Sequence, residues 1–205
     1  MTNLSPKHFN EIANEWDQPE KVKTMQGLAL KVKKVLNFAD NPSLDILDFG
    51  CGTGLFGLEL LSGARSLTGI DTSEGMLKVF DQKTQNLNNT RSVLLDLSKG
   101  DFDGQFDLIV SSMAFHHLDH PEIILKKLST HLNPNGRIVI VDLDQEDGSF
   151  HSKPKEMGVK HFGFSKNDIQ DWANEAGLRI SNYQFISEID KNGKIYKVFM
   201  VLFEN

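Results

Sequence analysis

Residues 7–38 place Phe9, Ile12, Ala13 and Trp16, then Val22, Met25, Leu28, Ala29, Val32, Val35 and Leu36, at the three- and four-residue spacing of helices. Pro19 divides this segment into two helices. From Leu44 the pattern changes to short apolar runs: LDILDF (44–49), a run closed by Thr68-Gly69-Ile70-Asp71, SVLLDL (92–97), FDLIVSS (106–112) and GRIVIVDL (136–143). Uninterrupted runs of this length read as strands buried on both faces. The stretches between them, FGLELLS, SEGMLKVFDQKTQ and PEIILKKLSTHL, return to helical periodicity, with Ser73 at a cap position and Pro121 in a first turn. Strands alternating with helices predict right-handed crossovers and a parallel sheet, so the fold class is α/β. The end of the chain breaks that rhythm. Ser165 opens SKNDIQDWANEAGL with an S-x-x-D cap and Gly177 closes it, after which RISNYQFISEI and KIYKVFMVLF flank Asn192-Gly193, a strong hairpin signal.

Composition narrows the picture. A chain of 205 residues fits one domain, divided here into an N-terminal helical cap (1–40) and an α/β core (41–205). With 22 basic against 28 acidic residues the formal net charge is −6, which argues against bulk nucleic-acid binding. The single Cys51 permits neither an internal disulfide nor a thiolate metal site. No apolar run is long enough to span a membrane and no secretory leader is visible, so a cytoplasmic location is expected. Nothing in the sequence signals an oligomeric state.

Candidate chemistry concentrates after the first strand. In LDFGCGTG, Gly50, Gly52 and Gly54 stand between a strand and a helix, where missing side chains let a ligand lie against backbone amides. Asp71 ends the second strand 21 positions after Gly50, the placement of an acid that takes ribose hydroxyls. A dinucleotide and S-adenosylmethionine compete for such a loop. The spacing G-x-G-x-G, Leu55 where a dinucleotide loop wants a small residue, and Asp48 where a carboxylate would repel pyrophosphate all favour S-adenosylmethionine, which carries an ammonium and a sulfonium and no phosphate.

The series DFGCGTG, GIDTS, LLDL, FDLIVSSMAFHHLDHP and LNPNGRIVIVDL resembles the class I S-adenosylmethionine-dependent methyltransferases over roughly residues 44–203, and within them the branch that methylates small molecules of ubiquinone and menaquinone type. The resemblance implies a Rossmann-like, seven-stranded, mostly parallel sheet with a C-terminal antiparallel hairpin. It also implies that Asp48 and the loop Gly50, Cys51, Gly52, Thr53 and Gly54 line the methionine end of the cofactor, and that Asp71 takes the ribose. Thr72 and Met76 would flank the adenine, Asp96 and Leu97 would sit beside its amine, and Ser111 or Ser112 would approach the methionine moiety.

For the acceptor, His116, His117 and His151 are the catalytic candidates, with a positional role for the pair after the fourth strand ahead of a basic one. Phe9, Trp16 and His161 are candidate substrate contacts, the first two on a helical cap and the last in the long connection 142–165. Asp142, Asp144, Glu146, Asp147 and His151 form a set of metal-compatible residues in that connection; they read more simply as a solvated loop, and no metal site is assigned. SSMAF stands where amino-methylating nucleic-acid enzymes carry N/D-P-P-Y, which argues against exocyclic-amine methylation of bases; the partner that the resemblance implies is a small-molecule substrate. The alternatives are a methyltransferase of tRNA or protein and a noncatalytic S-adenosylmethionine-binding module.

Overall fold

The computed structural model describes residues 4–38 and 43–205. The expected junction between cap and core, at residues 40 and 41, lies outside them. Helix α1 (Leu4–Ile12) leads through a 3-10 turn, Ala13–Glu15, to α2 (Pro19–Val35), with Pro19 at the first helical position. The core then runs β1 (Asp45–Phe49), α3 (Gly57–Leu61), β2 (Ser66–Asp71), α4 (Glu74–Thr84), β3 (Thr90–Leu94), β4 (Phe106–Ser112), α5 (Pro121–Ser129), β5 (Leu132–Leu143), α6 (Lys166–Ala176), β6 (Arg179–Lys191) and β7 (Lys194–Glu204).

The seven strands form one sheet in the order β3-β2-β1-β4-β5-β7-β6. The first five are parallel, and β7 runs antiparallel to both β5 and β6. The β6–β7 hairpin turns on Asn192 and Gly193, at φ 55° and 77°, the left-handed pair that this dipeptide supplies.

Alternate strand residues feed two cores. Ile46, Leu108 and Val139 pack with Leu28, Ala29 and Val32 of α2, Leu60 of α3 and Phe80 of α4. Leu47, Ile109 and Ile140 pack with Ile124, Leu125 and Leu128 of α5 and Ile169, Trp172 and Ala173 of α6. Burial on both faces is why these strands read as unbroken apolar runs.

Two boundaries differ from the sequence reading. The helix drawn from Pro121 to Leu132 stops at Ser129, because Leu132 already pairs with Phe106 of β4. The third strand occupies 90–94 and leaves Asp96 and Leu97 in the turn beyond it, since the strand ends where its partner Asp71 ends. Strand order reverses between β1 and β4, and the carboxyl edge at that reversal is where open α/β sheets bind ligands.

Candidate functional site

The loop after β1 and the turn after β4 meet at this reversal. Gly50 is at φ 71°, and a Cβ there would stand 2.5 Å from the Ala114 Cβ, so both a left-handed backbone and a close approach exclude a side chain. Gly52, at φ 52°, is different: a Cβ there would meet only Trp16 Nε1, at 4.0 Å. Its missing side chain therefore leaves open space against backbone, the cradle a ligand needs.

Asp71, ending β2, accepts the Gly52 N–H through Oδ2 at 2.8 Å and the Ser73 N–H through Oδ1 at 2.8 Å. The carboxylate thus ties the glycine loop to the start of α4, where Ser73 caps by accepting from Met76 N. Burial pushes the Asp71 carboxyl above its ordinary value against those hydrogen bonds. Each oxygen keeps a second lone pair for a hydroxyl donor.

Asp48 lies beneath the loop, 1% exposed, accepting from Gly57 N at 3.1 Å, and desolvation lifts its carboxyl to about 7. It anchors the start of α3. Cys51 is buried in the core, with its thiol pushed well up by desolvation, so it serves as packing. Thr53 is buried and donates to Asp17 of the cap.

The expected adenine side is mixed. Thr72 is exposed and Met76 is buried on α4. The Asp96 carboxylate accepts from Ser98 N and Oγ and pairs with Lys99, which hold it below the usual carboxylate range against its own desolvation. Leu97 is 2% exposed within the second core, so its side chain contributes packing. Ser111 is also a correction: it is 1% exposed and donates to the Phe49 carbonyl at 2.8 Å, a link between β4 and β1. Ser112, half-buried, points to Met25 of α2, with Oγ and Sδ 3.8 Å apart.

The cap is closed over the loop. Asn10 Oδ1 accepts from Ser73 Oγ and Gly75 N at 2.7 and 2.8 Å, and Asp17 pairs with Lys83 of α4. Lys21 sits 3.0 Å from the Trp16 ring centroid, and burial lowers its ammonium to about 8. Trp16, Phe9 and His117 follow one another edge to face, with centroids 5.5 and 5.2 Å apart. Sequence reasoning found these rings but missed Asn10, Asp17 and Lys83, whose partners lie dozens of positions away.

At the far end of that aromatic wall the Phe115–His117 turn meets the connection after β5. Asp142 is fully buried and pairs with His116 Nδ1 at 2.7 Å, also accepting from Leu143 N at 2.7 Å. The expectation that Asp142 belongs to a solvated loop is corrected: it closes β5 at the ligand edge. His116 is 1% exposed. One ring nitrogen of each of His116, His117 and His151 lies within 4.8 Å of the other two. Desolvation, reinforced by the neighbouring His116, holds His117 well below its ordinary value and His151 at about 4, so both rings are neutral at pH 7. The Nδ1 of His117 is buried without a hydrogen-bond partner.

His161 is a further correction. Its Nε2 donates to the Leu118 carbonyl at 3.0 Å and its backbone N–H to the His116 carbonyl at 3.1 Å, so it pins the connection to the turn instead of facing a substrate.

Among the described residues no helix is long and apolar enough to cross a membrane. A family model described as "Methyltransferase domain" matches residues 22–183. An uncharacterized methyltransferase of Schizosaccharomyces pombe is 35% identical over 174 residues, covering 77% of this chain and 61% of its own. One from Bacillus mycoides is 31% identical over 179 residues, covering 79% and 80%. In three dimensions the chain is similar to an S-adenosylmethionine-dependent methyltransferase from Clostridium acetobutylicum, with a TM-score of 0.69 at 16% identity, covering 96% and 98% of the two chains. A sheet of this order, a glycine loop at its reversal and a family match across most of the sequence lead to one assignment: the chain belongs to the class I S-adenosylmethionine-dependent methyltransferases.

Proposed function

We propose that the protein methylates a small organic acceptor held between the cap, the Phe115–His117 turn and the connection after β5. The observation that carries this reading is the aromatic wall: Trp16 over Gly52, then Phe9, then His117 with its unpaired buried nitrogen, a continuous apolar face ending in polar atoms. Such a surface suits a flat or apolar molecule with one polar end.

S-adenosylmethionine, when bound, supplies a methyl group already activated on a sulfonium. The loop 50–54 offers the open backbone at Gly52, and Asp71 offers lone pairs to the ribose hydroxyls. Asn10 and Asp17 hold the cap down and exclude water from the cleft. Phe9 and Trp16 contact the apolar body of the acceptor, while the histidine end receives its polar atom. Displacement at an activated methyl needs alignment above all, worth up to roughly 7–11 kcal/mol in favourable cases. The folded site supplies that alignment without a covalent intermediate.

The test is calorimetric titration with S-adenosylhomocysteine beside NAD, followed by transfer of labelled methyl to a panel of phenols, amines and carboxylic acids. Binding of the homocysteine compound alone, with label in one small acceptor class, is the expected result. Label entering only tRNA or protein overturns the acceptor reading. Silence from the homocysteine compound overturns the donor site.

A further inference from the structure

We propose that His116, His117 and His151 bind a divalent transition-metal ion of zinc type, with Asp142 orienting His116 behind it. Three imidazoles from two separate segments, the turn after β4 and the connection after β5, converge with one nitrogen each inside 4.8 Å. Their ring centroids stand 4.2, 5.0 and 6.0 Å apart. A tetrahedral ion at about 2.0–2.1 Å from each nitrogen sets centroids on the order of 5 Å apart, so rotations of the rings about their own side-chain bonds bring the three into range.

The donor chemistry fits as well as the spacing. Zinc takes neutral imidazole, and three histidines with an open fourth position is an established ligand count for a zinc ion that also holds water or substrate. Histidine ligands almost always pass their other ring N–H to a carboxylate or carbonyl, which fixes the tautomer and raises basicity. His116 has that arrangement: Nδ1–H donates to Asp142 at 2.7 Å, leaving the Nε2 lone pair free. Asp142 is fully buried, with no lysine or arginine among its hydrogen-bond partners, and a buried carboxylate gains from a cation one residue away.

Packing alone leaves one feature unexplained. His117 Nδ1 is sealed from solvent with no hydrogen-bond donor or acceptor against it, and a buried polar atom left unsatisfied is destabilising. An ion among the three rings gives that nitrogen a partner. Lys191, whose charge acts on His151, has its own partner in the Phe150 carbonyl.

The ion site stands apart from the methyl-transfer reading. Only its use rests on that reading: with Phe9 5.2 Å from His117, the open coordination position would take the polar atom of the acceptor, favouring hydroxyl, phenol or carboxylate oxygen.

The test uses the full chain, purified without a polyhistidine tag and stripped with chelator. It is titrated with Co²⁺, whose visible absorption reports a tetrahedral site, and then with Zn²⁺ as competitor. One equivalent of Co²⁺ with a tetrahedral spectrum, displaced by Zn²⁺, is expected. His151→Gln should weaken binding at least tenfold and Asp142→Asn by about 10–100-fold, while His120→Gln, an exposed histidine outside the cluster, leaves it unchanged. Circular dichroism melts identify any variant that has lost its fold, and the wild-type titration decides the matter without them. Absence of stoichiometric Co²⁺ and Zn²⁺ binding by wild type, or equal affinity in folded His151→Gln, overturns the site. Loss of S-adenosylhomocysteine binding with the metal retained would instead sink the methyl-donor reading and leave the ion standing.

Discussion

Replacing Asp71 separates two functions that its position combines. The carboxylate accepts from Gly52 N and Ser73 N, both at 2.8 Å, so it holds the loop and the start of α4 in register before any ligand arrives. Hydrogen bonds to a charged acceptor contribute about 1.5–3 kcal/mol each. Against that stands the cost of burying the charge, visible in the raised carboxyl pKa. Asp71→Ala removes both bonds and relieves that cost, for a net loss of about 2–4 kcal/mol. In a domain of this size that lowers Tm by roughly 5–15 °C. Asp71→Asn keeps one accepting oxygen and turns an NH2 toward the other N–H, costing about 1–3 kcal/mol. Calorimetric melts and titration with S-adenosylhomocysteine measure the two effects separately. In Asp71→Asn, affinity should fall at least tenfold, because the loop amide and the ribose lose the same oxygen. A folded Asp71→Ala with Tm within about 2 °C of wild type and unchanged affinity would refute the argument, since neither the loop nor the ligand would then depend on this carboxylate.

Glycine substitutions should part in the same way. Gly50→Ala forces a Cβ to 2.5 Å from the Ala114 Cβ and should fail to accumulate as folded protein, whereas Gly52→Ala meets open space, costs about 1–2 kcal/mol for its left-handed backbone, and should fold while losing cofactor affinity in titration. Asp48 makes stability depend on pH: its folded pKa of about 7 exceeds the ordinary 3.8, so its contribution is full below about pH 4 and is lost as pH rises through 7, by up to about 4 kcal/mol. His151, depressed to about 4, acts in the opposite sense, with stability lost as pH falls from 6.5 through 4, so the wild-type sum is shallow. The difference in urea midpoint between Asp48→Asn and wild type isolates the carboxyl; it should favour the variant more at pH 8 than at pH 5, and a difference independent of pH would refute the assignment. Ser165→Ala removes the capping box of α6 and should cost about 1 kcal/mol by denaturant titration with cofactor affinity intact.

The fold was legible because its signals are local. A strand buried on both faces needs no partner to be recognised, and Asn192-Gly193 specifies its own turn. The glycine loop was legible for the same reason: the demand at Gly50 and Gly52 comes from a left-handed backbone, a property of the local chain, joined at Gly50 by the close approach of Ala114. What failed to show were side chains whose roles are set by distant partners. Ser111 sits at the correct edge, but its hydroxyl turns to Phe49, and His161 lies in the correct connection with its ring spent on Leu118.

The largest omission was the pairing of Asp142 with His116, 26 positions apart. It was open to a stricter reading of the same sequence. β4 and β5 are sequential strands, and their register sets Ser112 beside Val141, so Asp142 and the residues just after Ser112 come to the same edge. An acid that follows a four-residue apolar run is carried into the sheet with its neighbours and cannot remain solvated. It must find donors, and the nearest side-chain donors at that edge belong to the two histidines of the turn. Asking where each strand-terminal carboxylate finds its partner leads from Asp142 to His116, and from there to the ring cluster that His151 completes.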